Sequence, residues 1–172
     1  MYTYLSGYPV LYIDILGNAP NYRPEEWNNP RYQYTNNCYS YACDLKIDGK
    51  DIPGRIFKLQ PGQFSGTYEP VPAGGFTCEL IMSRAQADGL YVTSTEKDCQ
   101  CKYHKVALIV GPNDYHWYRL DSNGYWSHKP GSYPVTNLYE NGDLINNPET
   151  AKWSYIYTKF CSYMCAPSNG ES

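Results

Sequence analysis

The residues best suited to carry out chemistry are a cysteine in the first quarter of the chain and three histidines that follow it. Cys38 comes directly after two asparagines, which are good N-cap residues, so the sequence predicts that it lies in the first turn of a short helix. Unsatisfied N–H groups and the helix dipole lower the pKa of a thiol placed there. We therefore predict that Cys38 is a nucleophile and that its own N–H, with Asn36 or Asn37, supports an oxyanion.

A cysteine nucleophile needs a histidine to accept its proton and a polar group to orient the imidazole. His104 begins an apolar segment, and a hairpin turn at the following Gly-Pro-Asn-Asp sequence would place Asp121 opposite it. His116 lies on the next segment, and a turn at Asp-Ser-Asn-Gly would bring His128 nearly opposite it. Either pair could form a catalytic triad with Cys38. We favour His116, because it can act as the base beside His128 or orient His104.

Each of these residues also has a purely structural interpretation. Free cysteines are commonly buried as small apolar groups, and a single histidine on a strand is more often a hydrogen-bonded structural residue than a catalyst. Arg119 and Asp121, two residues apart, would form only a surface ion pair, which contributes little to stability.

The elements that must position these side chains follow from the turn signals and the apolar runs between them. Short helices are predicted at 38–45 and 77–87, and strands at 105–110, 115–120, 125–129 and 153–163. Helices that precede a run of antiparallel hairpins are typical of an α+β fold with short helices packed on a meander sheet.

The domain organisation is predicted to be a single domain over residues 1–172, with an N-terminal extension of about 1–30. A loop at 52–75 contains four prolines and five glycines. A loop of this length crosses a functional cleft in many compact domains, although a surface excursion without a role is an equal alternative.

The seven cysteines leave at least one thiol outside any set of disulfides. Four thiolates could hold zinc, but the intervals of one and three residues in Cys99-Gln100-Cys101 and Cys161–Cys165 differ from the usual two. We therefore predict mostly free thiols and no metal or other cofactor. Cys38 is predicted to be unpaired, and Cys161 and Cys165 are the better candidates for structural pairing.

Composition excludes several classes of protein. A net charge of −3, from 14 basic and 17 acidic residues, excludes a nucleic-acid binder with a basic surface. No apolar run approaches the roughly 20 residues needed to span a bilayer, so no membrane span is expected. The start of the chain lacks a basic segment and a small-residue cleavage site, which predicts a soluble protein without a signal peptide, in the cytoplasm or packaged in a particle.

The segment Asn36-Asn37-Cys38-Tyr39-Ser40-Tyr41-Ala42, followed by His104-Lys105-Val106-Ala107-Leu108-Ile109-Val110-Gly111, resembles the papain-like superfamily that includes the NlpC/P60 and CHAP amidases. The spacing of 12 residues from His104 to His116 is also similar to that of the second and third catalytic residues in NlpC/P60 proteins. The passage DYHWYR, continued by WSHKPG, resembles uncharacterised bacterial and large-virus proteins.

The resemblance implies a papain-like fold and a cysteine-dependent hydrolase that cleaves a peptide or other amide bond through a thioester. Its substrate would be a peptide or a peptidoglycan-like polymer. The alternative is a non-catalytic structural or assembly protein, such as a virion or particle component, that keeps the fold and binds protein partners. The 20 tyrosines have two interpretations. Tyrosine is common at interfaces and sugar-binding surfaces, and it is also simply a good strand former.

Overall fold

An α+β arrangement, as the sequence predicts, is present in the computed structural model, which describes residues 19–48, 58–151 and 154–168. These residues form a five-stranded antiparallel sheet and a few short helices. The helices are α1 (Pro24–Trp27), α2 (Pro30–Gln33), α3 (Cys38–Ala42) and α4 (Cys78–Ala87), and the strands are β1 (Tyr91–Thr93), β2 (Tyr103–Gly111), β3 (Asp114–Leu120), β4 (Trp126–Ser127) and β5 (Lys159–Pro167). The first 18 residues of the predicted extension and the start of the predicted 52–75 loop lie outside the described residues.

Local sequence determines where the two helices next to the predicted site begin and end. The side chain of Asn37 caps α3 by accepting a hydrogen bond from the N–H of Ser40, whose hydroxyl accepts one from the N–H of Asn37. The helix ends at Ala42, earlier than predicted, and Asp44 takes a left-handed conformation (φ 52°) that stops it. Thr77 caps α4, and Asp88 ends it as predicted.

The β2–β3 hairpin is confirmed. Val106 pairs with Arg119, and Gly111 pairs with Asp114 across a two-residue turn. A glycine is required at 111 because a Cβ there would overlap the backbone oxygen of Ile156. β4 continues the meander but is only two residues long.

The last strand departs from the predicted meander. β5 begins at Lys159, because residues 154–156 form a turn, and it inserts between β1 and β2 to give the order β1-β5-β2-β3-β4. A strand from the end of the chain thus lies inside the sheet, a long-range pairing that turn signals between neighbouring segments do not specify.

The sheet is covered on both faces. On the first, the helix face, Val106, Leu108 and Val110 of β2 pack under α3 and α4. On the second, the loop face, Ala107 and Ile109 pack under residues from the segment 138–157. Side chains on a strand alternate between faces, so the parity of a residue number on β2 or β3 determines which layer its side chain joins.

Two disulfides fasten β5 to the rest of the domain. One joins Cys78, at the start of α4, to Cys161, and the other joins Cys99, before β2, to Cys165. They close separations of 83 and 66 residues, and loops of this size typically gain about 2–4 kcal/mol from a disulfide. The prediction of mostly free thiols is wrong for these four cysteines, and the zinc alternative fails because three of its four thiolates are used in disulfides.

None of the helices within the described ranges has the length and apolar character that crossing a bilayer requires.

Candidate functional site

Cys38 occupies the first position of α3 but is not exposed. It is 6% exposed and belongs to the helix-face core with Tyr39, Val110 and Trp117. Burial raises the pKa of the Cys38 thiol to about 12, and hydrogen bonding to the backbone N–H of Trp117 offsets only part of that effect. The helix has five residues and a correspondingly weak dipole, so desolvation dominates and the thiol is protonated at neutral pH.

The two asparagines predicted to support an oxyanion are buried, and their amides hold neighbouring loops. The Asn36 amide donates to the carbonyl oxygens of Tyr32 and Ile47, at 2.9 Å each, and its oxygen accepts from the N–H of Ile47. Asn37 uses its oxygen to cap α3 and donates its amide to the carbonyl oxygen of Leu59 at 2.8 Å. Both side chains are therefore engaged in fixing the chain around α3.

His104 lies on the same face of the sheet as Cys38 but at the other end of α3. Its Nε2 donates to the carbonyl oxygen of Ala42 at 2.6 Å, and its Nδ1 lies 3.0 Å from the hydroxyl oxygen of Ser168. Burial lowers the pKa of His104 to about 3, so the ring is neutral. Its contacts join the last turn of α3 to β2 and to the end of β5.

His116 and His128 are brought together as predicted, but on the loop face. His116 Nε2 and His128 Nδ1 are 2.8 Å apart, and the His116 ring contacts the rings of Tyr118 and Tyr157. Burial lowers the pKa of His128 to about 3, and burial followed by repulsion from His128 lowers that of His116 well below its usual value. Cys38 belongs to the opposite layer, and no hydrogen bond among the described residues joins its thiol to a histidine.

A small cavity beside His128 is lined by Tyr118, Leu138, Tyr139, Ile145 and other residues of the loop face. It leaves room for about one water molecule and is therefore far too small for a peptide. Within the described ranges, no three His, Cys, Asp or Glu side chains converge as metal ligands would.

Asp121 follows β3 at the position predicted to face His104, but its carboxylate binds Arg119 instead. The Arg119 Nε donates to Asp121 Oδ1 at 2.9 Å, and both side chains are completely buried. The prediction that these two residues form a surface ion pair is therefore wrong. Desolvation raises the pKa of Asp121, an effect that the Arg119 charge opposes.

Arg119 is the residue of this region that the sequence analysis undervalued. Its Nη1 donates to Asp44 Oδ1 at 2.9 Å and to the carbonyl oxygen of Tyr41, and its Nη2 donates to the Tyr41 hydroxyl and the Asn21 carbonyl oxygen. With the bond to Asp121, all five guanidinium donors are satisfied. The guanidinium carbon also lies 4.0 Å from the centre of the Tyr41 ring. The parity of 119, shared with buried Trp117, is the signal that could have placed it inside.

The reactivity of the thiols provides a direct test of this geometry. In the folded protein at neutral pH, iodoacetamide is expected to label exposed Cys101 readily and buried, protonated Cys38 at least tenfold more slowly. Peptide mapping after timed quenching measures both rates, and a Cys101→Ser variant isolates the slow reaction. Labelling of Cys38 at the rate of Cys101 would contradict the buried, protonated state.

No family model matches this chain, and neither does any solved structure, so the papain-like fold stays a prediction. The chain is 37% identical over 135 residues to insoluble matrix shell protein 1 of Ruditapes philippinarum, and the match covers 77% of this chain and 81% of that protein.

This similarity corrects the functional prediction that was made from the sequence. The labels hydrolase, thiol or cysteine peptidase, and NlpC/P60 or CHAP amidase are wrong, because the relative is named for an insoluble shell matrix and not for a peptidase. The extent of the match and its identity show that this chain belongs to the family of insoluble matrix shell protein 1.

Proposed function

We propose that this protein is a non-catalytic structural component of an insoluble extracellular matrix, in which it associates with other matrix macromolecules. The observation that carries the proposal is the 37% identity to a protein named as an insoluble shell matrix protein. The proposal develops the assembly-protein alternative and replaces a cytoplasmic location by a secreted one.

The disulfides support secretion. Cys78–Cys161 and Cys99–Cys165 both join segments that are distant in sequence, as structural disulfides do. Such bonds form and persist in oxidising compartments and are rare in the cytosol, where thiols are kept reduced. A domain fastened in this way is suited to an environment in which no chaperone can refold it.

The surroundings of Cys38 support a non-catalytic role. The thiol is buried and protonated, the amides of Asn36 and Asn37 are engaged with the backbone, and the His116–His128 pair lies across the sheet. A nucleophile requires a thiolate that substrate can reach. The asparagines instead bond to the backbone around α3, and the Cys38 thiol packs in the core between α3 and the sheet, which is what a stable structural module needs.

Sequential extraction of the source tissue tests the proposal. The secreted hard material is washed with neutral buffer and then treated with denaturant and reductant, and each fraction is analysed by quantitative peptide mass spectrometry. We expect the chain mainly in the fraction that denaturant and reductant release, with Cys78, Cys99, Cys161 and Cys165 oxidised before reduction. Recovery in the cell lysate or in the buffer wash would overturn the proposal.

A further inference from the structure

Two exposed tyrosines belong to backbone segments that hydrogen bonds hold side by side. Tyr34, after α2, is 54% exposed, and Tyr133 is 68% exposed. The Lys129 ammonium donates to the carbonyl oxygen of Gln33 at 2.6 Å and to that of Tyr133 at 3.2 Å. The Gln33 amide also donates to the carbonyl oxygen of Ser132 at 3.2 Å. The two exposed tyrosines are therefore attached to neighbouring backbone segments at the surface.

This area is held firmly from beneath. Lys129 is completely buried and donates a third hydrogen bond to the carbonyl oxygen of Gly131 at 2.7 Å. The Lys58 ammonium donates to the Ser132 hydroxyl at 2.7 Å, and the N–H of Val135 donates to the Asn28 side chain at 2.7 Å. A backbone fixed by so many bonds loses little conformational entropy when a ligand binds, which favours binding to a preorganised surface. We call Gln33, Tyr34, Lys58, Ser132 and Tyr133 the paired-tyrosine surface.

The two rings are available to a ligand. Neither the Tyr34 nor the Tyr133 hydroxyl makes a hydrogen bond to another residue that the structure describes. Each therefore offers an apolar ring face and a free polar edge to solvent. This contrasts with Tyr39, Tyr41 and Tyr118, which are completely buried and have bonded hydroxyls.

The charge of the surrounding chain indicates which ligand fits. Residues 27–43 and 122–139 contain no Asp or Glu, and they are rich in Tyr, Asn, Ser and Thr. Sites for mineral cations such as Ca²⁺ are built largely on carboxylates, which these segments lack. The exposed aliphatic side chains Val92, Leu138, Leu144 and Ile156 are outside the paired-tyrosine surface, so the large apolar groups that its five residues offer are the two aromatic rings.

We propose that the paired-tyrosine surface binds a neutral polysaccharide whose pyranose rings stack on Tyr34 and Tyr133. The C–H face of a pyranose is apolar and matches an aromatic ring, while its equatorial hydroxyls can bond to the phenol edges and to the Lys58 ammonium. Binding to a polysaccharide would give the matrix role proposed above a physical basis. The biological meaning of this binding rests on that proposed role. Binding by the purified chain is measurable whether or not the matrix location holds, so the two proposals fail separately.

The test is a sedimentation assay with the oxidised full-length chain and two insoluble polymers, microcrystalline cellulose and crystalline chitin. We expect saturable binding to at least one polymer and at least a tenfold weaker association for the double variant Tyr34→Ala/Tyr133→Ala. The double variant Tyr34→Phe/Tyr133→Phe, which keeps both rings, is expected to retain most of the binding. Tyr155→Ala is the matched control, because Tyr155 is 92% exposed but lies in a different loop, and its binding is expected to equal that of the original protein.

Near-ultraviolet circular dichroism verifies that every variant is folded, and light scattering gives its oligomeric state. The proposal is overturned if the original protein binds neither polymer, or if the double alanine variant binds as well as Tyr155→Ala. It is also overturned if the original protein is a dimer and the double alanine variant a monomer, since the surface would then be a protein interface.

Discussion

Replacement of Arg119 by alanine is expected to lower the free energy of unfolding by about 3–5 kcal/mol, a large fraction of the total stability of a domain of this size. The guanidinium is completely buried and bonds to Oδ1 of Asp121, which is buried as well, and to Asp44 and the Tyr41 hydroxyl. Alanine would leave the Asp121 carboxylate without its cation in a low-dielectric environment, and removal of one partner of a buried pair costs more than the pair itself contributes. Urea unfolding followed by tryptophan fluorescence measures the change.

Two comparisons distinguish a general effect of removing charge from the effect of this site. Arg119→Lys keeps the charge but has three donors instead of five, so it is expected to recover only part of the loss. Arg23→Ala removes an arginine whose side chain is 48% exposed and whose partner is Glu26, and a change within about 0.5 kcal/mol is expected. A loss below 1 kcal/mol for Arg119→Ala would show that the buried network does not stabilise the fold. If Arg119→Ala does not fold at all, the Lys variant still provides the measurement.

The β2–β3 hairpin and α4 were predictable because their signals are local. The Gly-Pro-Asn-Asp turn lies between two apolar runs, and Thr77 and Asp88 mark the ends of α4. The position of β5 depends instead on pairing between residues far apart in sequence, with Cys165 placed opposite both Tyr91 and Lys105. Neither the insertion of that strand nor the two disulfides that accompany it can be derived from turn chemistry, which specifies only neighbouring segments.

The candidate site shows the same division between local and non-local information. The sequence correctly predicts that His116 and His128 meet, because their separation matches one hairpin. It does not predict that their side chains share the loop face, because that depends on which face α3 covers. The asparagine cap correctly predicts that Cys38 lies at the start of α3. The sequence does not show how deeply that helix is buried, and burial raises the pKa of the thiol where the sequence predicted a lowered one.

Acidification below pH 6.5 is expected to destabilise the protein steeply, because all three histidines are buried and neutral. Burial lowers the pKa of His104 and of His128 to about 3, and that of His116 lies well below its usual value. Between pH 6.5 and about 3, the unfolded chain therefore binds protons that the folded protein does not, so stability is complete above pH 6.5 and falls as the pH is lowered. Three protons correspond to a slope of about 4 kcal/mol per pH unit.

Urea unfolding at half-unit intervals from pH 7.5 to 5.0 measures this slope. The raised pKa values of Asp44 and Asp121 act in the opposite sense, since these groups bind protons more readily in the folded state, and they offset part of the histidine slope at the pH values where they titrate. In the variant His104→Gln, the side-chain amide can still donate to the Ala42 carbonyl oxygen but does not titrate, so the slope is expected to fall by about one third.

Nuclear magnetic resonance titration of the imidazole Cε1 protons provides a measurement that needs no variant. All three resonances of the folded protein are expected to stay at their neutral positions from pH 7.5 down to the onset of unfolding, because burial lowers the pKa of each imidazole. A resonance that titrates with a midpoint near 6.5 while the protein remains folded would show that its imidazole reaches solvent. In that case the dependence of stability on pH would correspond to two protons instead of three. The closed packing of the loop face or of the His104 site would then be incorrect.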